Sequence, residues 1–171
     1  MGSYSVRRGA ISATYNSRFT IIGSMNPEEA NLRPQILDRF GLRVLVRGLD
    51  SETERLESFR RNSAYRNHPS GFLSQFSAAT DIARSEVQAA RDRLPAVEIP
   101  ENVALQAVRL VRSLRIDSLR AEFTLLQASL ALAAADGRSR VELEDIKYLA
   151  PMALRLRRSP FIETYIRDRA Q

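Results

Sequence analysis

The residues best suited to chemistry cluster in Ser24-Met25-Asn26-Pro27-Glu28-Glu29 and in Leu32-Arg33-Pro34-Gln35-Ile36-Leu37-Asp38-Arg39-Phe40-Gly41-Leu42. Asn26 follows a β-branched and aromatic run, Phe19-Thr20-Ile21-Ile22-Gly23, that reads as a strand buried on both faces. The edge beyond such a strand is where ligands bind in open α/β sheets. A carboxamide there can orient a water or a phosphate oxygen, because it both donates and accepts. The same residue before a proline can instead bond its own backbone in a turn. Asp38 and Arg39 fall in the last turn of a short helix, where an arginine is favoured by the helix dipole. Arg39 is there either a solvated charge or a cation offered to an anion on a neighbouring molecule. Arg120 is placed against the dipole, in the first turn of a helix capped by Asp117 or Ser118. Beside free N–H groups a guanidinium strengthens an anion site. The alternative is an exposed pair with Glu122 or Asp117, which contributes little.

The elements that must position these residues follow from pattern. Asn26-Pro27 breaks the first strand, and Arg33-Pro34 opens a short helix that ends at Gly41, a residue suited to a left-handed cap. Leu42–Val46 alternates apolar and basic residues as a second strand, and Asp50 or Ser51 caps a helix carrying Leu56 and Phe59. After Pro69-Ser70-Gly71 the character becomes all-helical. The apolar positions are Ala79, Ile82, Ala83, Val87, Ala90 and Leu94; then Val103, Ala107, Leu110, Val111 and Leu114; then Leu119, Phe123, Leu126, Leu130 and Ala133. A fourth helix runs from about Glu142 to Leu154, with Pro151 expected to kink or break it. Pro160 to Gln171 reads as a short helix or a frayed tail. The order is strand, helix, strand, helix, then a bundle. Two strands make a poor sheet alone, so the first part reads as the edge of a larger one.

Composition bounds the partners. The chain has 171 residues, no cysteine and a net charge of +6, and Lys147 is the one basic residue among 26 that is not arginine. The absence of cysteine excludes a disulfide framework, a thiolate metal site and a cysteine nucleophile. It points weakly to the cytoplasm, and no stretch reads as a membrane span. His68 is the single histidine and lacks a second candidate ligand, so no metal site is expected. Arginine suits bidentate recognition of phosphate and carboxylate, and a basic balance also raises nucleic acid as a partner. Arg155, Arg157 and Arg158 form a basic cluster that reads as a solvated helix end, or as a contact to nucleic acid or a subunit.

Met25-Asn26-Pro27-Glu28-Glu29 followed by Leu32–Leu42 closely resembles the I subunit of magnesium chelatase and its near relatives among AAA+ ATPases. The resemblance continues through Asp117-Ser118-Leu119-Arg120-Ala121-Glu122 and Val141-Glu142-Leu143-Glu144-Asp145-Ile146, and covers roughly Val6 to Pro160. It implies a mixed fold: the C-terminal edge of an AAA+ α/β P-loop domain over 1–70, with two strands and two helices, then an all-α four-helix lid over 71–171. It also implies roles. Asn26 matches the sensor 1 asparagine that positions the attacking water, and Arg39 the arginine finger offered in trans to ATP on the adjacent subunit. Asp38 matches a residue of the same interface, and Arg120 the sensor 2 arginine of the lid. The implied whole assembly couples ATP hydrolysis, with Mg²⁺, in a ring to magnesium insertion into protoporphyrin IX. Its partners are further AAA+ subunits, including a D-type chelatase subunit, and a large porphyrin-binding subunit. Two departures stand out. Ala30 replaces the family's glycine, and no G-x-x-x-x-G-K-[ST] phosphate loop is present. The expectation is therefore the second half of a longer ATPase, holding no nucleotide tightly and inactive in hydrolysis alone. A nucleic-acid-associated AAA+ module and a chaperone-like remodeller of metalloproteins are the alternatives.

Overall fold

The computed structural model describes residues 2–9, 11–26, 33–116, 118–155 and 157 of the 171. The Glu28, Glu29 and Ala30 positions, the Asp117 capping alternative, Arg158 and the expected tail over 160–171 lie outside them. The chain divides into two units, Met1–Phe40 and Gly41–Gln171.

In the first unit, β1 (Ser3–Arg8) pairs antiparallel with β2 (Ile11–Asn16). Gly9, at φ +59°, supplies the positive φ that the first central residue of a tight hairpin loop needs. Tyr4 stacks on Tyr15 across the pair, with centroids 5.3 Å apart, and the Ser5 and Thr14 hydroxyls hydrogen-bond at 2.8 Å. The expected strand at Phe19–Gly23 is not formed, and Phe19, Ile21 and Ile22 are exposed. β-propensity needs a neighbouring edge to act on, and the described residues place none beside this run. Pro34 opens the one-turn helix α1 (Pro34–Leu37), as its fixed φ favours.

In the second unit, Leu42–Val46 is likewise not a strand. Val44 and Val46 are exposed while Arg43 is 8% exposed, the reverse of an apolar-in pattern. Gly41 does not take the left-handed conformation. Its missing Cβ instead allows close approach to α6, since a Cβ there would lie 3.3 Å from Cγ2 of Thr124. Helix α2 (Glu52–Asn67) starts at Ser51, whose hydroxyl accepts from the Glu54 amide at 3.4 Å. Helices α3 (Pro69–Gln75) and α4 (Ser77–Arg93) follow, and their apolar residues, with those of α2, are largely exposed: Leu56, Phe59, Leu73, Ile82 and Val87.

The core lies in α5 (Glu101–Ser113), α6 (Leu119–Ala135) and α7 (Leu143–Leu154). Helix α5 buries Val103, Ala107 and Val111, the face its spacing predicts. Helix α6 follows its expected face only in part: Ala133 is buried and Leu126 and Leu130 pack against the core. Ala121, Leu125, Ser129 and Ala133 are buried at steps of four, while Leu119 and Phe123 are exposed. This helix is apolar almost all round, so periodicity offers two stripes. The small residues win because they admit close packing of the neighbouring helices. Ser129 is satisfied within its own helix by the Leu125 carbonyl, 2.8 Å away.

Both C-terminal turns that frame α6 are closed the same way. Gly137, at φ +77°, ends α6, and the Arg138 amide reaches the Ala133 carbonyl at 2.8 Å. At the end of α5 the left-handed position is occupied by Arg115, at φ +53°, with the Ile116 amide on the Val111 carbonyl at 3.3 Å. Pro151 does not end α7 at its own position, and the helix runs on to Leu154. Proline removes one N–H donor from the helix ladder, a small loss beside the packing of Leu149, Ala153 and Leu154.

Candidate nucleotide-sensing site

Asn26 is exposed and lies in the irregular segment that follows Gly23. A Cβ on Gly23 would sit 3.5 Å from the ring of Phe40, so this segment passes against the residue next to Arg39. The turn after α1 is tight: the Arg39 amide donates to the Ile36 carbonyl at 3.0 Å and the Phe40 amide to the Leu37 carbonyl at 3.1 Å. Asp38 is half-buried and Arg39 exposed on that turn. Within the first unit, Gly23, three residues before Asn26, therefore lies against Phe40, the residue after Arg39.

Arg120 belongs to the second unit. It is the second residue of α6 and is exposed. Ser118 is the cap, its hydroxyl accepting from the Ala121 amide at 3.3 Å. The positive end of the helix dipole lies beside this arginine, so an anion arriving there meets both. Arg39 in the first unit and Arg120 in the second are both exposed. The described residues contain no group of three or more His, Asp or Glu that could hold a metal ion.

The lid is held in register by a network that residue types alone did not reveal. Arg138 donates from both terminal nitrogens to Asp145, at 2.7 and 2.8 Å, and also to Asp136 at 2.9 Å. Asp145 in turn accepts from the Glu142 amide at 2.8 Å, completing a capping box at the start of α7. The Arg138 hydrogen bonds, then the Glu142 N–H, hold the Asp145 carboxyl below its ordinary value against the opposing effect of burial. The same pairing raises the Arg138 guanidinium further above its already high value.

Of the basic cluster expected as a solvated helix end, Arg157 is not solvated, and Arg155 is half-buried. Arg157 is 5% exposed and donates from Nε to the Ala153 carbonyl at 2.8 Å. His68 lies between α2 and α3, with its ring 3.5 Å from where a Cβ on Gly71 would be. Among the described residues no helix is long and apolar enough to cross a membrane.

Two antiparallel strands are thus followed by helices whose buried core lies in α5, α6 and α7. Residues 105–171 match the AAA lid domain family. The structure is similar to the crystal structure of a putative ATPase from Cytophaga hutchinsonii, with a TM-score of 0.62 and 23% identity over 87% of this chain and 49% of that one, a likeness of fold. In sequence the chain is 41% identical, over 164 residues, to the magnesium-chelatase 38 kDa subunit of Rhodobacter capsulatus; the match spans 95% of this chain and 47% of that protein. It is 37% identical over 163 residues to a magnesium-chelatase subunit ChlI homolog of Methanocaldococcus jannaschii, covering 94% of this chain and 45% of that protein. The chloroplastic ChlI subunit of Nicotiana tabacum is 34% identical, with 93% and 38% covered. Over nearly its whole length the chain is thus similar to magnesium-chelatase I subunits, with an AAA lid match in its second half, and it spans about half the length of the curated relatives it matches.

Proposed function

We propose that these residues supply the sensing and triggering part of a magnesium-chelatase I-type ATPase, acting on ATP whose phosphates are cradled elsewhere. The observation that carries this reading is the 41% identity to a magnesium-chelatase subunit across 95% of the chain. Arg39, exposed on its tight turn, is the arginine finger directed at ATP on an adjacent subunit. Asp38 borders the same interface. Asn26 orients the attacking water, and Arg120 reaches the phosphates from the amino end of α6. The α/β part is taken to span 1–70 and the lid 71–171.

Phosphoryl transfer depends on positioning and charge stabilisation more than on covalent help, and an arginine finger contributes about 10³–10⁵ in rate. A finger supplied in trans makes hydrolysis conditional on assembly, which suits a homo-oligomeric ring containing also a D-type subunit. That ring would serve the large porphyrin-binding subunit in inserting Mg²⁺ into protoporphyrin IX, in the cytoplasm, with ATP and Mg²⁺ as cofactors of the assembly. The 171 residues by themselves lack a phosphate loop, and no hydrolysis is expected from them alone.

The reading is tested by joining this chain behind the phosphate-loop half of a magnesium-chelatase I subunit and measuring steady-state ATPase activity with and without Arg39→Ala. Loss of turnover is expected. Turnover equal to the unsubstituted protein would remove Arg39 from the mechanism.

A further inference from the structure

The segment immediately after the Arg39 turn is seated on the lid helices by a buried cation. Gly41 lies against Thr124 of α6, where a Cβ would come within 3.3 Å of Cγ2. Two residues on, the Arg43 amide donates to the Met152 carbonyl at 3.0 Å, and its guanidinium Nη1 donates to the Arg155 carbonyl. Arg43 is 8% exposed although its neighbour Val44 is 68% exposed. Arg157 completes the seat from the other side, donating to the Ala153 carbonyl at 2.8 Å and, at 3.4 Å, to the Thr124 hydroxyl.

The carbonyls involved belong to the last turn of α7 and to the residue that follows it. Helix carboxyl ends carry partial negative charge and carbonyls with no partner inside the helix. A cation buried there is stabilised by both, and the carbonyls are satisfied in return. An alternating apolar and basic run would ordinarily turn its arginine outward. Here the arginine is turned in and the valine out, so the seat holds a cation and is not a by-product of apolar packing.

We propose that Arg43 is a positioning residue that fastens the chain just beyond Arg39 to the carboxyl end of α7. Arg39 stands four residues before Arg43 in sequence, so few rotatable bonds separate the finger from its anchor. This inference rests, for its catalytic meaning, on Arg39 being the finger, while the fastening itself does not.

Hydrogen exchange on the complete 171-residue chain measures the fastening directly. Arg43→Met is expected to speed exchange of the Arg43 amide and its neighbours over 41–46 by about tenfold or more, the effect of losing a charge-assisted hydrogen bond, with α5 and α6 unchanged. Arg43→Lys keeps a cation able to reach the Arg155 carbonyl, and should restore most of the protection. Unchanged exchange in Arg43→Met, or no rescue by lysine, would overturn the proposal. If Arg43→Met does not fold, the lysine variant decides alone: retained protection supports the anchor and lost protection refutes it. In the joined ATPase, Arg43→Met should lower kcat with KM for ATP unchanged. If Arg39→Ala there leaves kcat intact, the finger reading fails while the exchange result still stands.

Discussion

Replacing Asp145 by alanine removes at once two Arg138 donations and the acceptor for the Glu142 amide. Breaking a fully buried ion pair from one side costs about 3–5 kcal/mol, because the remaining charge is stranded. The Asp145 side chain is 7% exposed but that of Arg138 is 27% exposed and also touches Asp136, so water and that second carboxylate can take over the guanidinium. The estimate therefore falls to about 2–3 kcal/mol, which includes about 1 kcal/mol for the lost helix cap. Urea unfolding followed by helical circular dichroism would read this as a lower midpoint at unchanged slope. Asp145→Asn retains an acceptor for the Glu142 amide and should lose less.

The pH dependence has a definite sign. The carboxyl is held below its ordinary 3.8 in the folded state, so the unfolded chain binds a proton first as pH falls. The stabilisation is fully present above that ordinary value and is lost as pH drops through the lower folded one. The gap between wild type and Asp145→Asn should thus be flat from neutral pH to about pH 5 and close below pH 4. A cost under about 0.5 kcal/mol for the alanine variant, the range of an ordinary surface change, would refute the idea that this network holds the α6–α7 junction.

The left-handed cap positions give an opposed pair of substitutions. Arg115→Gly relieves a Cβ clash at φ +53° and should stabilise by about 0.5–1 kcal/mol, the relief less the added freedom of the unfolded chain. Gly137→Ala introduces the same clash at φ +77° and should destabilise by about 1 kcal/mol. The same titration measures both, and equal signs would contradict the cap assignment. Leu125, fully buried on α6, should cost about 2–5 kcal/mol as alanine, whereas Phe123→Ala on the exposed face of that helix should cost far less. A reversed order would restore the face that spacing suggested.

Much of the bundle could be read from sequence because its signals are local. Ser51 and Ser118 cap where expected, Gly137 ends α6, and Val103, Ala107 and Val111 keep a clean helical period. Leu119–Ala135 was ambiguous because nearly every face is apolar, and the choice of stripe is made by partners distant in sequence. The runs at 19–23 and 42–46 have strand composition, but pairing is a property of two segments and composition describes one. The hairpin at Ser3–Asn16 carried a signal that went unread: Tyr4, Val6, Ile11, Ala13 and Tyr15 alternate with polar residues around Gly9. Residue type and position single out Asn26, Arg39 and Arg120, but their particular roles come only from family resemblance, since an exposed arginine has the same local pattern whether or not it meets a phosphate. Arg43 had no signal in sequence, because its burial depends on carbonyls more than a hundred residues further on.

The central claim is that Arg39 acts on ATP held by another subunit. It is tested most directly by mixing two inactive forms of the joined protein, one carrying Arg39→Ala and one with its phosphate loop disabled. Mixed assemblies place an intact Arg39 beside an intact phosphate site, so ATPase activity should reappear on mixing and scale with the fraction of mixed neighbours. Activity absent at every ratio, or Arg39→Ala fully active by itself, would contradict the account.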